Sequence, residues 1–243
     1  MVPSQSSVDY IANVSKGIMS SLRSIDPKAI WVLQGWMFSY NTTFWTTQRA
    51  KAFLTALPKG DMIVLDLAAE EKPVYPKLNS YFGQPFIFCM LNNYGGRMGL
   101  YGHVRNINQG VFIARDNSGH AMIGTGLSME ATGTNYIVYE LMNEMHYKKH
   151  PVVLYDWIGN YTLRRYGFSN RDIQMAWSSL VDTAYGSISP SKEFLIARPA
   201  WNMSSLAFLR YNRSSLVQCV NYIERALVNI SYIGYQSTLL RLE

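Results

Sequence analysis

Glu130 ends the stretch MIGTGLSME, whose apolar run over residues 122–127 is interrupted by two glycines. It is the carboxylate best placed for chemistry in this chain, because parallel α/β architectures gather their reacting groups past the carboxyl ends of the strands. Other apolar runs end in a similar way. Trp36 follows VLQG, Asp66 and Leu67 close VLDL, and Leu91 closes FCML ahead of Asn92, Asn93 and Tyr94. A mouth holding an indole, a phenol, amides and a carboxylate suits a sugar, since ring faces cover C–H patches while polar groups take the hydroxyls.

Each of these residues has a plainer reading. Glu130 could be a carboxylate at the N-terminus of the next helix, favoured by its dipole. Trp36 could pack in the core, and Asp66 could orient loops rather than react. Asn93-Tyr94-Gly95-Gly96 has the composition of a turn. A glycosidase needs two carboxyl groups, one acting on the leaving oxygen and one as nucleophile or base. The other acids near strand ends are Asp66, Glu70 and Glu71, and neither glutamate has an evident place at the mouth. Read alone, the residues supply one good carboxylate.

The elements that must carry these groups follow from periodicity. Residues 8–25 place Val8, Ile11, Val14, Ile18, Leu22 and Ile25 at helical spacing, with Pro27 as a stop. AIWVLQGW reads as a strand, residues 48–57 as a helix broken by Pro58-Lys59-Gly60, and MIVLDLA as the next strand. PFIFCML is a third strand, 104–112 a helix and MIGTGL a fourth strand. Continuous apolar strands alternating with helices predict parallel strands covered on both faces. A complete eight-unit barrel needs about 250 residues. Four units here predict half a barrel or a small open sheet. After Glu130 the pattern is helical: 135–145, 152–166 closed by Gly167, 170–185 closed by Gly186, and 214–227. A domain boundary is expected at HYKKHP, giving 1–148 and 149–243.

Composition bounds the rest. Apolar residues make up 48% of the 243, enough for a core, and no apolar run is long enough to span a membrane. The net charge of +6 comes from scattered residues, which reads as a solvated basic surface rather than a nucleic-acid interface. Cys89 and Cys219 form no framework, and the four histidines have no metal-ligand spacing. The N-terminus lacks the pattern of a signal peptide. Yet the acceptor motif Asn-x-Ser/Thr occurs six times, at Asn13, Asn41, Asn160, Asn202, Asn212 and Asn229. Chance predicts about two, so the count points to the secretory pathway.

KAIWVLQGWMF, MIVLDLAAEEKPVY, GQPFIFCMLNNYGGRMGLYG and VYELMNEM, in that order and followed by RRYG and RYNRS, resemble the alpha-N-acetylglucosaminidases, glycoside hydrolase family 89. The resemblance implies the second half of a (β/α)8 TIM barrel, followed by part of an all-α C-terminal domain. It implies a lysosomal or secreted exo-glycosidase that removes terminal α-linked N-acetylglucosamine with retention, heparan sulfate being the animal substrate. It matches Glu130 to the nucleophile and places Trp36, Leu67, Leu91, Asn93 and Tyr94 on the sugar pocket. No metal or organic cofactor is implied. The partner is a glycan ending in N-acetylglucosamine, and a homo-oligomer of the full-length protein is compatible with it.

The family's acid/base glutamate precedes a methionine that matches Met1. The expectation is therefore a fragment whose acid lies one residue upstream, inactive or nearly so by itself. A non-catalytic glycan-binding or degenerate relative is the alternative, and half a barrel with open sheet edges is expected to aggregate. Two departures stand out: Asn92-Asn93-Tyr94 where the family has His-Asn-Phe, and Ala131-Thr132 where it has Gly-Ile. The Cβ of Ala131 beside the nucleophile would disturb the local backbone.

Overall fold

The structure is a computed structural model that describes residues 7–92, 100–130, 135–186 and 212–230. These fall into two compact units. One comprises the described residues up to Leu91 together with 110–128. The other comprises Asn92, 100–109 and the described residues from Met129 onward.

The first unit is built on a four-stranded parallel sheet in the order β1 (Trp31–Gln34), β2 (Met62–Asp66), β3 (Phe86–Met90) and β4 (Met122–Leu127). Spatial order equals chain order, as expected of consecutive units of a barrel wall. Helix α1 (Val8–Ile25) precedes the sheet. Ser7 caps it by accepting the Tyr10 N–H at 3.1 Å, and Ile11, Ser15 and Met19 form its buried stripe. The short α2 (Met37–Tyr40) and α3 (Thr47–Thr55) connect β1 to β2, and α3 packs against α1. No α-helix joins β2 to β3. Pro73 and Pro76 oppose one, and the connection ends in a one-turn segment, Ser80–Gly83. Helix α4 (Val104–Asn117) joins β3 to β4 and runs longer than its apolar period suggests.

One face of the sheet is buried. Trp31 meets Phe53 edge-on, Tyr75 stacks on Phe86 at 5.2 Å, and the Phe88 ring approaches α4 where Gly110 leaves room. Gln84, buried between these layers, donates to the carbonyls of Leu54 and Leu57 at 2.8 and 3.1 Å, satisfying the C-terminal end of α3. The other face is not covered as the apolar runs implied. Val32 is 55% exposed, Ile123 is exposed, and Ile63, Leu65 and Ile87 are half-buried. The reason is topological. β1 and β4 are the edges of this sheet, and this face carries the side chains that a closed barrel would bury at its centre.

The second unit is helical apart from its loops: the start of α4, then α5 (Tyr136–Tyr147), α6 (Leu154–Tyr166), α7 (Arg171–Asp182) and α8 (Arg213–Ile230). The apolar residues at helical spacing are mostly buried: Ile137, Leu141 and Met145 on α5, Trp157, Ile158 and Tyr161 on α6 (Leu154 is half-buried), and Ile173, Trp177 and Leu180 on α7. Gly167 ends α6 at φ +78°, a left-handed cap that donates to the Leu163 carbonyl. Asn170 caps α7. The core is aromatic. Trp177 donates from Nε1 to the Tyr166 hydroxyl at 3.0 Å, meets Tyr161 edge-on and stacks with Tyr185. Cys219 of α8 donates from Sγ to the Ala176 carbonyl of α7. Trp177→Ala is expected to cost about 3–5 kcal/mol by opening a cavity and removing a partner of Tyr166. Urea unfolding followed by far-UV circular dichroism measures it, and a change below about 1 kcal/mol would contradict this account of the core.

Candidate active site

In the first unit the ends of β1, β2 and β3 are shaped by backbone groups that run out of ladder partners. Gly35, one residue past β1, donates to the Leu65 carbonyl at 2.8 Å. A Cβ there would lie 2.8 Å from that oxygen and 2.9 Å from the Tyr81 hydroxyl, so glycine alone lets β1 end this close to β2. Trp36 follows immediately and starts α2, its carbonyl accepting the N–H groups of Ser39 and Tyr40. Trp36 is 39% exposed.

Asp66 is the last residue of β2 and is fully buried. Its carboxylate accepts the Val74 N–H at 3.1 Å and the Tyr75 N–H at 2.9 Å. It therefore organises the β2–β3 connection, the structural role weighed from the sequence. Burial pushes its pKa up to about 6 from 3.8, against the lowering effect of those two N–H groups, the nearby Tyr81 hydroxyl and Lys77. The Tyr81 phenol is itself pushed up by burial and by Asp66, and its hydroxyl makes no hydrogen bond of standard geometry. Leu67 comes next and is half-buried. Ala68 takes φ +56°, a left-handed value costly for a residue with a Cβ, and turns the chain so that Ala69 donates to the Cys89 carbonyl at 3.0 Å.

Glu70, which has no evident place at the mouth in the sequence, has its carboxylate buried against the end of β3, where its two oxygens lie 3.1 and 3.3 Å from the Leu91 N–H. A loop glutamate in AAEEKP carries no periodic signal, and its side-chain target lies 21 residues away. Leu91 itself is buried. Cys89 is a free buried thiol pushed up to about 12 by burial and by the charges of Asp66 and Glu70, which keeps it protonated and inert.

Glu130 lies three residues past β4 and is exposed. Helix α5 begins at Tyr136 after its cap Asn135 and has no acid in its first turn, so Glu130 lies before that turn in the chain. Asn93 and Tyr94 lie outside the described residues, as does Ala131.

Residues 1–149 match the family model described as the alpha-N-acetylglucosaminidase (NAGLU) tim-barrel domain. The chain belongs to the alpha-N-acetylglucosaminidase family. Residues 157–236 match the model of the C-terminal domain of the same family. Human alpha-N-acetylglucosaminidase is 37% identical over 224 residues, which cover 90% of this chain and 30% of the human protein. Among solved structures, a family 89 glycoside hydrolase from Clostridium perfringens in complex with PUGNAc superposes with a TM-score of 0.76 at 27% identity, over 91% of this chain and 25% of that one. A form of the clostridial enzyme with two glutamates changed to glutamine, in complex with its substrate GlcNAc-alpha-1,4-galactose, gives the same TM-score at 25% identity. The chain thus spans about a third or less of the relatives it matches, and within that span it is a glycoside hydrolase by family, with a partial barrel followed by a helical domain.

The raised pKa of Asp66 has a direct consequence for stability. The folded state keeps a proton that the unfolded chain has released, so stability from this group is full below about pH 4 and is lost as pH rises through about 6. Charging Asp66 costs on the order of 2–3 kcal/mol by neutral pH. Asp66→Asn keeps an acceptor for the loop and removes the charge, so it should flatten this component of the profile. Urea midpoints of wild type and variant between pH 4 and 7 test it; parallel profiles would refute the assignment.

Proposed function

We propose that the protein carrying this chain is a retaining exo-glycosidase acting on terminal α-linked N-acetylglucosamine, with heparan sulfate as the substrate the family resemblance implies. The observation that carries the reading is the family match together with Glu130, an exposed carboxylate just past the C-terminal end of a parallel strand in that family's barrel segment. Glu130 attacks the anomeric carbon and forms a glycosyl-enzyme. A second carboxyl group, which the resemblance puts directly before Met1, protonates the leaving oxygen and then activates water. In a retaining site the two carboxyls stand about 5–5.5 Å apart. The doubly substituted clostridial relative holding its substrate suits a reaction run by two glutamates.

Trp36, Leu67, Leu91, Asn93 and Tyr94 form the proposed sugar wall, in which the partly exposed Trp36 would supply aromatic surface. The chemistry calls for no cofactor. Residues 1–148 form the barrel part and 149–243 the helical part. The 243 residues alone are proposed to be inactive or nearly so, since loss of a general acid costs on the order of 10²–10⁴-fold. In the natural full-length protein, Glu130→Gln is expected to lower kcat on an aryl N-acetyl-α-glucosaminide by on the order of 10³-fold or more while PUGNAc binding persists. Undiminished turnover by that variant would remove Glu130 from the reaction.

The secretory reading belongs with the same proposal. Asn41 and Asn212 are exposed acceptor asparagines outside helix interiors, and the Asn212 Oδ1 already accepts the N–H and hydroxyl of Ser214. A lysosomal or secreted glycoprotein should carry glycans there. Among the described residues no helix is long and apolar enough to cross a membrane. A peptide map of the protein from its source is expected to show deglycosylation-dependent mass shifts at Asn41 and Asn212, and a peptide running upstream of Met1 with Asn-Glu before it. Unmodified acceptor peptides would count against the secretory route, and a native start at Met1 would favour a glycan-binding or degenerate relative.

A further inference from the structure

The end of β2 offers an observation that the proposed reaction does not use. In a regular parallel ladder a residue whose N–H donates to one carbonyl of its neighbour accepts, through its own carbonyl, the N–H two residues further along that neighbour. Ala69 donates to the Cys89 carbonyl, so a regular ladder would send the Leu91 N–H to the Ala69 carbonyl. Instead the Leu91 N–H faces both oxygens of the Glu70 side chain, at 3.1 and 3.3 Å. The left-handed turn at Ala68 places that side chain there. Glu70 is 3% exposed, so its carboxylate is desolvated where it takes this N–H. A glutamate or aspartate that merely decorated a loop would stay in water.

We infer that Glu70 is a positioning residue of the sugar site: its buried carboxylate replaces the missing ladder carbonyl beyond β2 and fixes the exit of β3 at Leu91. The inference rests on the reading of Leu91 as part of the sugar wall. Glu70 touches no reacting atom and acts through a backbone N–H. Asp66 does a parallel task on the other side of the same strand end by holding Val74 and Tyr75. Side-chain acceptors, unlike ladder carbonyls, let β2 and β3 part at a set point, after which the chain can present residues to a ligand.

The test uses the natural full-length protein and PUGNAc, the compound bound by the clostridial relative, with Kd measured by calorimetry well below the Tm of every variant. Glu70→Met removes the acceptor at similar volume and is expected to raise Kd about tenfold or more. Glu70→Gln keeps one acceptor oxygen and should stay within about threefold of wild type, a rescue that a general loss of stability would not show. In a Leu91→Ala background the further effect of Glu70→Met should shrink below about threefold, because both changes act on one wall. If Glu70→Met does not fold, Glu70→Asp takes its place. It withdraws the oxygens by one methylene and should raise Kd several-fold.

Unchanged Kd in a folded Glu70→Met or Glu70→Asp protein overturns the inference, as does equal loss in Glu70→Gln or full additivity with Leu91→Ala. If Leu91→Ala itself binds PUGNAc like wild type, the wall reading has failed, and the inference falls with it. If wild type does not bind PUGNAc at all, the glycosidase reading fails first.

Discussion

A parallel sheet that opens toward a ligand must stop pairing somewhere, and the backbone groups past that point still need partners. In this chain two buried carboxylates and a glycine meet that demand. Asp66 takes two N–H groups of its own connection, Glu70 takes the first N–H beyond β3, and Gly35 comes close enough to β2 to use the Leu65 carbonyl. An unmet buried N–H costs on the order of 1–3 kcal/mol, so these contacts decide whether the strand ends hold one shape. Trp36, Leu67 and Leu91 each sit one residue beyond a residue so held or at such a contact.

The same solution concentrates negative charge beneath the strand ends. Burial first, and then the charge of Asp66 on Tyr75, Tyr81 and Cys89 and of Glu70 on Cys89, raises the pKa of each neutral neighbour. The buried layer is thereby kept chemically quiet: a protonated thiol and protonated phenols are poor nucleophiles. Under the proposed reaction, chemistry is left to groups in contact with solvent, such as the exposed Glu130 past β4. This division of labour is physical. Groups that shape the mouth are desolvated, while a group that must carry charge through a reaction remains wet.

Helices and strand positions were legible in the sequence because burial stripes are local. Ile137, Leu141 and Met145 are spaced by one turn and all are buried, and IVLD and FIFCM are the strands the apolar runs indicate. What could not be read depended on partners distant in the chain. Nothing in WVLQ or MIGTGL says that these strands are sheet edges, so the exposure of Val32 and Ile123 was missed. Gln84 looks like any polar residue before a proline, and only its approach to the end of α3 shows its use. The candidate site divides along the same line. Glu130 and Trp36 stand out as candidates by their position after apolar runs, whereas the burial of Glu70 against Leu91 has no trace in the sequence because a long flexible side chain leaves no periodic signal.

Asn79, Ser80, Tyr81 and Phe82 all have φ between +46° and +54°, four consecutive residues in the left-handed region, and Gly83 follows at +87°. Asparagine tolerates this region and tyrosine and phenylalanine resist it, at about 1 kcal/mol or more each. The rings of Tyr81 against Phe38 and Phe86 offset that cost. Evolution therefore faces a coupled choice here. Replacing Tyr81 with glycine would relax the backbone and empty the core, while a β-branched residue would relieve neither. This short turn should drift more slowly than its place in a connecting loop suggests, and it should change by correlated pairs rather than one letter at a time.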